Sequence, residues 1–530
     1  MALTALMALM APPWALDVVT AMGRAGDAVA FRQPSGGGGL DGATVRTHAE
    51  SRARATRLAH ALVAHGIRPG DRVALVVEST ADAVEAYLAV GLAGATAVQV
   101  NDRLQVAEIA EVLDAASPRA VVHTAGHAGR LEDLLAGGGV EVVSLGGRLG
   151  CTTLDADDAT RHGVSAPPEV TVDPRAAAIV GFTSGTTGRP KGVVHSQANL
   201  ARIVRHMPVH DGLRWGSRCA FTGTLAFAAG IWGVVLPHLW VGGELSFMAG
   251  LPPDEWVRRM VAERTNFTYA PTPLMGALAA EVRRRPEVLD HLDGVLHSGS
   301  IAPRESVVDL VSAIGHRFVE TYGMTETGAP VTATVPDDWR PGSTADDPFA
   351  SAGRAVSIAR LEIHGPDGQR LGPGEVGEVV VESDTLFDGY LDAPELTAEA
   401  VRDGRLHTGD LGSLDAAGHL YVRGRSKEMI VTGGMNVYPA EVERVMAQAH
   451  GVAEVAVFGL PDDRWGETVA AAVVARPGAD LDVESLREHV RERMAGYKKP
   501  TRIHVVDELP RNASLKVRKD VLQRRFGGAP

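Results

Sequence analysis

Short apolar runs alternate with helical stretches along most of the chain from about residue 45. Glycines bound the runs, and helical stretches such as residues 79–94 separate them. Continuous apolar runs of this length are typical of strands buried on both faces, as in parallel sheets covered by helices. We predict buried strands at RVALVVE (72–78), AVVHTA (120–125), VEVVSL (140–145) and AAIVGFTS (177–184).

The pattern changes twice in the last third of the chain. Between residues 352 and 382, ARLEIHG and GEVVVES alternate apolar with polar positions around a Pro/Gly-rich turn, which predicts an antiparallel hairpin and a small β-barrel-like region. From about residue 425 a compact mixture of strands and amphipathic helices follows. The predicted fold class is therefore α/β. A large body of parallel-rich sheets and helices spans residues 1–423, and a C-terminal α+β domain spans residues 424–530.

Composition narrows the class of protein. The 530 residues are 45% hydrophobic and 22% charged, with a net charge of −13, which disfavours nucleic acid or an anionic membrane as partner. Only two cysteines, Cys151 and Cys219, are present, so we expect a reducing, cytoplasmic setting. No apolar run reaches the roughly 18 residues of a membrane span. Residues 1–16 resemble a signal sequence but lack a basic start, and we expect a helix packed on the core.

Lysine is scarce in this chain. Of 52 basic residues only six are lysines, and a lysine offers a compact, mobile charge that arginine does not. The six are candidates for ammonium-specific roles or survive by chance: Lys191, Lys427, Lys498, Lys499, Lys516 and Lys519.

A glycine-rich segment follows the predicted strand at 177–184. It reads Thr183-Ser-Gly-Thr-Thr-Gly-Arg-Pro-Lys191-Gly192. Its hydroxyls and backbone N–H groups can surround phosphate oxygens, with Lys191 as the movable cation. It is not a Walker A loop, because glycine and not Ser/Thr follows the lysine.

Four further motifs follow in order. They are Glu320-Thr-Tyr322-Gly-Met-Thr325-Glu326, Leu406-His-Thr-Gly-Asp410-Leu-Gly412, Arg423-Gly-Arg425-Ser-Lys427 leading to Gly433-Gly434-Met-Asn-Val-Tyr-Pro-Ala-Glu441, and Leu509-Pro-Arg-Asn-Ala-Ser-Leu-Lys516. With the glycine-rich segment they resemble the adenylate-forming superfamily of acyl- and aryl-CoA ligases, peptide-synthetase adenylation domains and beetle luciferases. The resemblance extends from about residue 20 to 525 and implies a ligase that forms an acyl-adenylate from an acid and ATP.

The resemblance implies roles for these residues in the first half-reaction. Tyr322 would lie against adenine, Thr325 on the α-phosphate, and Glu326 would be a ligand of Mg²⁺. Asp410 would accept the ribose hydroxyls with help from Arg425. The implied catalytic residues are Lys516, Thr325, Glu326 and Lys191, and the implied nucleotide- and cofactor-binding residues are Thr183, Ser184, Gly185, Thr186, Thr187, Gly188, Lys191, Gly299, Ser300, Tyr322, Gly323, Asp410, Arg425, Lys427, Gly433 and Gly434.

For the second half-reaction, the resemblance implies a mobile C-terminal domain that swings on a hinge at Lys427 and brings in coenzyme A. Gly433 and Gly434 would lie along the pantetheine tunnel. Lys498 and Lys499 are either contacts of the CoA phosphates or a solvated surface pair. The implied cofactors are ATP, Mg²⁺ and coenzyme A.

Two positions depart from the family pattern. Leu515 stands where glycine usually precedes the lysine, and a side chain there would strain the loop if φ is positive. Phe227 stands where many acyl-CoA ligases have histidine. Amino-acid-activating members of the family place an aspartate near position 228 to hold the ammonium group of the substrate, and this chain has Ala228 there. We therefore expect an apolar pocket for an aryl or short-to-medium acyl acid, lined by Phe227, Trp232, Tyr269, Ser298, Gly323 and Gly328.

Three functional hypotheses remain at this stage. The chain is an acid–CoA ligase, or an acyl-AMP ligase that loads a carrier protein, or a nucleotide-binding member without catalysis. The first two differ in the thiol acceptor, and the third would bind ATP without releasing pyrophosphate. The sequence leaves the oligomeric state open, and a homodimer is compatible with it.

Overall fold

The computed structural model describes residues 13–34, 43–146, 152–156, 166–184, 190–462, 464–479, 481–512 and 516–527. The chain forms two compact units. The first consists of Met1–Thr344, Ala352–Arg360 and Glu382–Leu406, and the second of Ala345–Ser351, Leu361–Val381 and His407–Pro530. The predicted boundary between residues 423 and 424 lies within the second unit. That a mobile domain begins at residue 424 stays a prediction.

The first unit contains an eight-stranded sheet that carries the glycine-rich segment. Its central strands are parallel, apolar and almost completely buried, as the sequence pattern predicts. In spatial order the strands are Gly389–Tyr390, Pro190–Ser196, Ala177–Ser184, Thr96–Val100, Arg72–Val76, Ala120–Thr124, Glu141–Leu145 and Leu154–Asp155.

A nine-stranded sheet forms the other half of the first unit. Its central strands are again parallel, and antiparallel strands close both edges. In spatial order they are Arg354–Ala355, Thr332–Ala333, Phe318–Tyr322, Gly294–His297, Phe267–Tyr269, Arg218–Phe221, Glu244–Phe247, Val29–Gln33 and Thr44–Thr47.

Most helices of the first unit bury apolar side chains. The first described helix buries Trp14, Val18 and Met22 in the main core. Residues 1–12, which make up most of the stretch expected to form a packed N-terminal helix, lie outside the described residues. The α-helices of this unit are Trp14–Ala25, His48–Ala64, Ala81–Leu92, Val106–Ala116, Ala128–Leu135, Gln197–His210, Ala228–Gly230, Leu236–Trp240, Pro253–Glu263, Met275–Arg284, Arg304–Ile314 and Pro394–Ala400, with a π-helical turn at Ile231–Val235.

The second unit contains two smaller sheets. The first lies where the sequence predicts a barrel-like region and includes Ala359–His364, Gly377–Ser383, Arg405–Leu414 and Leu420–Arg425; Val401–Arg402 pairs with the start of Arg405–Leu414 inside the first unit. The other sheet consists of Met435–Val437, Ile430–Thr432, Gly466–Ala475, Val452–Asp462 and Arg502–Val505, with helices Pro439–Ala447, Val483–Arg493 and Lys519–Phe526.

The architecture confirms the predicted fold class, with parallel-rich sheets and helices in the larger unit and an α+β arrangement at the C-terminus. Among the described residues, no helix combines the length and apolar character that crossing a membrane requires.

Candidate active site

The glycine-rich segment joins two antiparallel strands. Thr183 pairs with Lys191 across the ladder, so the lysine stands at the start of the returning strand. The predicted phosphate contacts Gly185, Thr186, Thr187 and Gly188, and the side chain of Ser184, lie outside the described residues.

Tyr390 connects Lys191 to Glu326. The Lys191 ammonium lies 5.4 Å from the centre of the Tyr390 ring, a cation–π distance. The Tyr390 hydroxyl donates a hydrogen bond to Glu326 Oε1 at 2.9 Å. Two of the predicted catalytic side chains therefore contact one tyrosine that the sequence analysis missed.

No local pattern singles out Tyr390, because its position depends on long-range pairing. The two-residue strand Gly389–Tyr390 pairs antiparallel with Val193 and Val194, just after the glycine-rich segment. The Phe387 N–H also donates to the Glu326 carbonyl at 2.8 Å. This short segment thus fixes the side chain and the backbone of Glu326.

A buried histidine, His195, forms a hydrogen bond to the backbone of the 3₁₀ turn Thr325–Thr327. His195 Nε2 donates to the Thr325 carbonyl at 2.8 Å, and the Asn199 amide donates to His195 Nδ1 at 2.9 Å. Burial lowers the pKa of His195, while its bond to Thr325 and the charge of Asp388 oppose the shift. A neutral ring that accepts at Nδ1 and donates at Nε2 is consistent with both contacts.

Gly328 ends this turn in a conformation that excludes a side chain. Its φ is +71°, and a Cβ atom would lie 2.7 Å from the Thr385 carbonyl oxygen. The Trp232 indole donates to the Gly328 carbonyl at 2.9 Å, and its ring meets His195 edge-on with centroids 5.3 Å apart. Trp232 is completely buried, so it supports the turn that carries Thr325 and Glu326.

The other predicted pocket residues lie at the carboxyl ends of strands in the nine-stranded sheet. Tyr269 ends its strand, and its hydroxyl donates to the Ser298 carbonyl at 2.9 Å. Burial raises the pKa of Tyr269 to about 12, so the ring stays neutral. Gly299 and Ser300 follow directly and are exposed, and Tyr322 and Gly323 stand where the next strand ends.

Phe227 is half-buried at the start of a short helix. Hydrogen bonds to the backbone of the preceding loop hold that loop in place. The Leu225 carbonyl accepts hydrogen bonds from Gln99 Nε2 at 2.8 Å and from the Tyr87 hydroxyl at 3.3 Å. A Cβ atom on Gly230 would lie 1.8 Å from the Thr224 carbonyl oxygen, so glycine is required at this position.

In the second unit, Asp410 and Arg425 face each other on paired strands. Arg425 Nε lies 2.6 Å from Asp410 Oδ1, and only 5% of Asp410 is exposed. The Asp410 N–H donates to Thr408 Oγ1 at 3.1 Å. The structure thus brings together the two residues predicted to share a role at the ribose.

The remaining predicted residues of this unit occupy exposed turns. Lys427 lies in a 3₁₀ turn at Ser426–Glu428, and Gly433 and Gly434, both at positive φ, connect strands Ile430–Thr432 and Met435–Val437. The Lys516 N–H donates to Asn512 Oδ1 at 2.9 Å. Leu515 lies outside the described residues, so the expected strain stays a prediction.

Two other lysines of the second unit form ion pairs. Lys498 Nζ lies 2.6 Å from Glu441 Oε1, and Lys519 Nζ lies 2.9 Å from Glu443 and 3.3 Å from Glu428. For Lys498, the ion pair with Glu441 is an alternative to the contact with CoA phosphates that the sequence analysis considered. Lys519 ties the C-terminal helix to the segment that follows Lys427.

Comparison with known proteins places these motifs in a family. The profile of AMP-binding enzymes matches residues 19–391, and that of the AMP-binding enzyme C-terminal domain matches residues 441–516. Feruloyl-CoA synthase of Amycolatopsis sp is 35% identical over 92% of this chain and 95% of its own length. Fatty acid–[acyl-carrier-protein] ligase ScoC of Streptomyces coeruleorubidus is 31% identical over 91% of this chain and 92% of its own.

A solved structure of another protein has the same fold as this chain. ATP-bound MatB from Rhodopseudomonas palustris superimposes with a TM-score of 0.85 at 27% identity, covering 96% of this chain and 99% of that protein. The family profiles, the relatives and the fold all confirm the resemblance that the five motifs indicate. The chain belongs to the AMP-binding enzymes.

Proposed function

We propose that the protein is an ATP-dependent carboxylic acid–CoA ligase that proceeds through an acyl-adenylate. The observation that carries this proposal is the contact of Lys191 and Glu326 with Tyr390 beside the glycine-rich segment. A cation and a carboxylate held at fixed separation suit a reaction between two anions, ATP and a carboxylate. The similarity to feruloyl-CoA synthase, which extends over nearly the whole length of that relative, supports the proposal.

In the first half-reaction, a carboxylate oxygen of the acid bonds to the α-phosphorus of ATP. The bond from that phosphorus to the bridging oxygen breaks, and pyrophosphate leaves. Lys191 and the donors of the glycine-rich segment would bind the departing phosphates, and Thr325 would hold an α-phosphate oxygen. Negative charge grows on the phosphoryl oxygens, so fixed donors lower the barrier more than an acid or a base would.

Glu326 fits the Mg²⁺ that the family implies. One carboxylate oxygen accepts from Tyr390, and the residue is 7% exposed. Among the described residues no group of three ligating side chains is preformed. Mg²⁺ is commonly bound by one or two carboxylates, with phosphate oxygens and water completing the shell. When bound, Mg²⁺ would neutralise charge on the phosphates.

In the second unit, Asp410 and Arg425 are proposed to bind the ribose, since a carboxylate can accept from two hydroxyl groups. Arg425 holds one oxygen of Asp410 and so fixes the direction of the other. Lys516 is exposed and would bridge the acid and the α-phosphate during adenylation.

In the second half-reaction, the thiol sulfur of CoA bonds to the acyl carbon, AMP leaves, and the thiol proton is released. We assign Lys427 to the hinge, and Gly433 and Gly434 to the path of the pantetheine arm. Domain rotation about Lys427 would let one cavity serve both reactions.

The proposed acid is an aryl or short-to-medium acyl carboxylic acid. Phe227 and Tyr269 offer aromatic surface, and Ala228 offers no partner for an amino-acid ammonium, whose burial unpaired would be costly. The named substrate of the feruloyl-CoA synthase relative is also aromatic. We place the reaction in the cytoplasm on the basis of the chain's two cysteines.

A carrier-protein thiol is the second candidate acceptor. It is favoured by the similarity to ScoC, which is named as a ligase of acyl carrier protein. The adenylation step would be unchanged, and free CoA would not be used.

The test is turnover with ATP, Mg²⁺ and a panel of benzoates, cinnamates and C4–C12 acids, with and without CoA. We expect CoA-dependent AMP release and an acyl-CoA product identified by mass. Pyrophosphate exchange without a thioester would overturn the CoA assignment in favour of a carrier protein. ATP binding without any pyrophosphate release would show a member that has lost catalysis.

A further inference from the structure

Lys519 joins the start of the last described helix to two acidic side chains of the same unit. Its ammonium nitrogen lies 2.9 Å from Glu443 Oε1 and 3.3 Å from Glu428 Oε2. Burial disfavours the charge on Lys519, but the two carboxylates outweigh burial and raise the pKa of the lysine. The side chain therefore stays an ammonium, and one cation holds both carboxylates.

The two carboxylates belong to different parts of the second unit. Glu428 ends the 3₁₀ turn that contains Lys427. Glu443 lies in a helix, and its Oε1 also accepts a hydrogen bond from the Val457 N–H at 2.8 Å. Glu443 is thus held by a strand as well as by Lys519. Through Lys519 it is connected to the turn that we assign to the hinge.

The segment that carries Lys516 leads directly to Lys519. The Asn512 N–H donates to the Lys516 carbonyl at 2.9 Å, and the Lys516 N–H donates to Asn512 Oδ1 at 2.9 Å. The Arg518 N–H donates to the Pro510 carbonyl at 2.7 Å, just before Lys519 opens the helix. The ion pairs of Lys519 therefore anchor this segment close to the adenylation lysine. We call residues 510–512 and 516–518 the Lys516 segment.

The chemistry of this junction suits lysine better than arginine. A lysine ammonium is a compact charge with three donors, so it can bond to two carboxylates that approach from different directions. Arginine presents a planar fork that matches a single carboxylate. Only six of the 52 basic residues are lysines, and Lys519 is one whose contacts require an ammonium.

We propose that Lys519 is a positioning residue that links the Lys516 segment to the hinge turn, so that the orientation of the turn sets the position of the adenylation lysine. The inference rests on the proposed function, which assigns Lys516 to adenylation and Lys427 to the hinge. It adds a physical connection between these two residues within one unit. A rotation at Lys427 would then carry Lys516 with it.

The experiment measures adenylation by the full chain as ATP–pyrophosphate exchange at saturating acid and ATP. Glu428→Met removes the carboxylate on the hinge turn and leaves Lys519 paired with Glu443. We expect the exchange rate to fall about tenfold, because a misplaced catalytic group lowers the rate even when substrates still bind. The KM for ATP should stay within about twofold of wild type, since binding itself is not altered. Lys519→Met should show the same split.

Combination with Lys516→Ala separates positioning from a general loss of structure. If the link acts only through Lys516, Glu428→Met should change the residual rate of Lys516→Ala less than about twofold. Arg524→Met is the matched control, because Arg524 lies in the same helix as Lys519 but pairs with Asp520 at 2.9 Å. The proposal is overturned if Glu428→Met lowers the rate equally with and without Lys516, or if Arg524→Met lowers it as much.

Hydrogen exchange tests the link without catalysis. In Glu428→Met, the amide hydrogens of the Lys516 segment should exchange at least about threefold faster than in wild type, whereas Arg524→Met should leave them unchanged. An unchanged Lys516 segment in Glu428→Met would overturn the proposal even in an active ligase. Faster exchange of the segment, in a protein whose wild type catalyses no pyrophosphate exchange, would refute the ligase function and support the link.

Discussion

At the scale of single residues, the candidate site depends on side chains that connect the motifs. Tyr390 contacts Lys191 through its ring and Glu326 through its hydroxyl. His195 and Trp232 support the turn that carries Thr325. These three residues act through the backbone and side chains of the motif residues, so their roles can be separated from those of the motifs by conservative substitutions.

Tyr390→Phe is expected to lower the rate of ATP–pyrophosphate exchange about tenfold. The ring stays under Lys191, but Glu326 loses a hydrogen bond to its charged oxygen, which is worth more than a neutral one. The control is Tyr421→Phe, which removes a tyrosine hydroxyl bonded to Asp415 in the second unit. Equal loss in both variants, or none in Tyr390→Phe, would contradict the assignment.

His238 should make the first unit sensitive to acid. Burial lowers its pKa to about 4, whereas an unfolded histidine titrates near 6.5. The folded pKa is depressed, so the stabilisation is present above pH 6.5 and is lost as the pH falls toward 4. The loss is at most about 3 kcal/mol.

Urea unfolding followed by tryptophan fluorescence at pH 7 and pH 4.5 would measure this effect. We expect His238→Gln to reduce the difference between the two midpoints. His316→Gln, at an exposed position, should leave the difference at the wild-type value. A wild-type difference in His238→Gln would show that other groups cause the acid sensitivity.

At the scale of elements, the apolar runs predicted the buried strands well. Strand Ala177–Ser184 has the predicted bounds, and Arg72–Val76 lies within the predicted run. Such runs succeed because burial on both faces leaves a local signature in the sequence. The strand Gly389–Tyr390 has only two residues, and its pairing with Val193 and Val194 is a long-range contact. No local signature encodes that contact.

The loop before the π-helical turn is expected to determine which acid binds. In Gly230→Ala the added methyl group would meet the Thr224 carbonyl, so the loop that carries Phe227 must move. We expect the KM for the acid to rise at least tenfold and the ranking of acids to change, while the KM for ATP changes less than twofold.

Initial rates across the acid panel would measure both constants. Gly276→Ala is the matched control, because its Cβ would meet no atom within 4 Å in a helix of the same unit. A parallel rise in both KM values of Gly230→Ala would indicate a general loss of structure instead.

At the scale of the whole molecule, the motifs are divided between two units. Lys191, Thr325 and Glu326 lie in the first, and Asp410 and Lys516 lie in the second. The sequence analysis placed Asp410 in the large body of residues 1–423 and Lys516 in the C-terminal domain, and it did not predict that residues 345–351 and 361–381 join the second unit. Those segments join it through tertiary contacts, which leave no periodic pattern in the chain.

Lys516→Ala is expected to separate the two half-reactions. Adenylation should fall at least a hundredfold, because the cation between two anionic reactants is lost. Conversion of synthetic acyl-adenylate and CoA to acyl-CoA should stay within about threefold of wild type. Single-turnover measurements of each half-reaction would test this, and an equal loss in both would contradict a role confined to adenylation.

The discontinuity of the first unit has a consequence for synthesis of the chain on the ribosome. Its last segment is Glu382–Leu406, which supplies Tyr390, and residues of the second unit are translated before it. At roughly 5–20 residues per second, several seconds separate the emergence of Thr344 from that of Leu406. Until Tyr390 has emerged, the nascent chain displays Lys191 and Glu326 without the tyrosine that joins them, and nucleotide cannot assist folding through that contact.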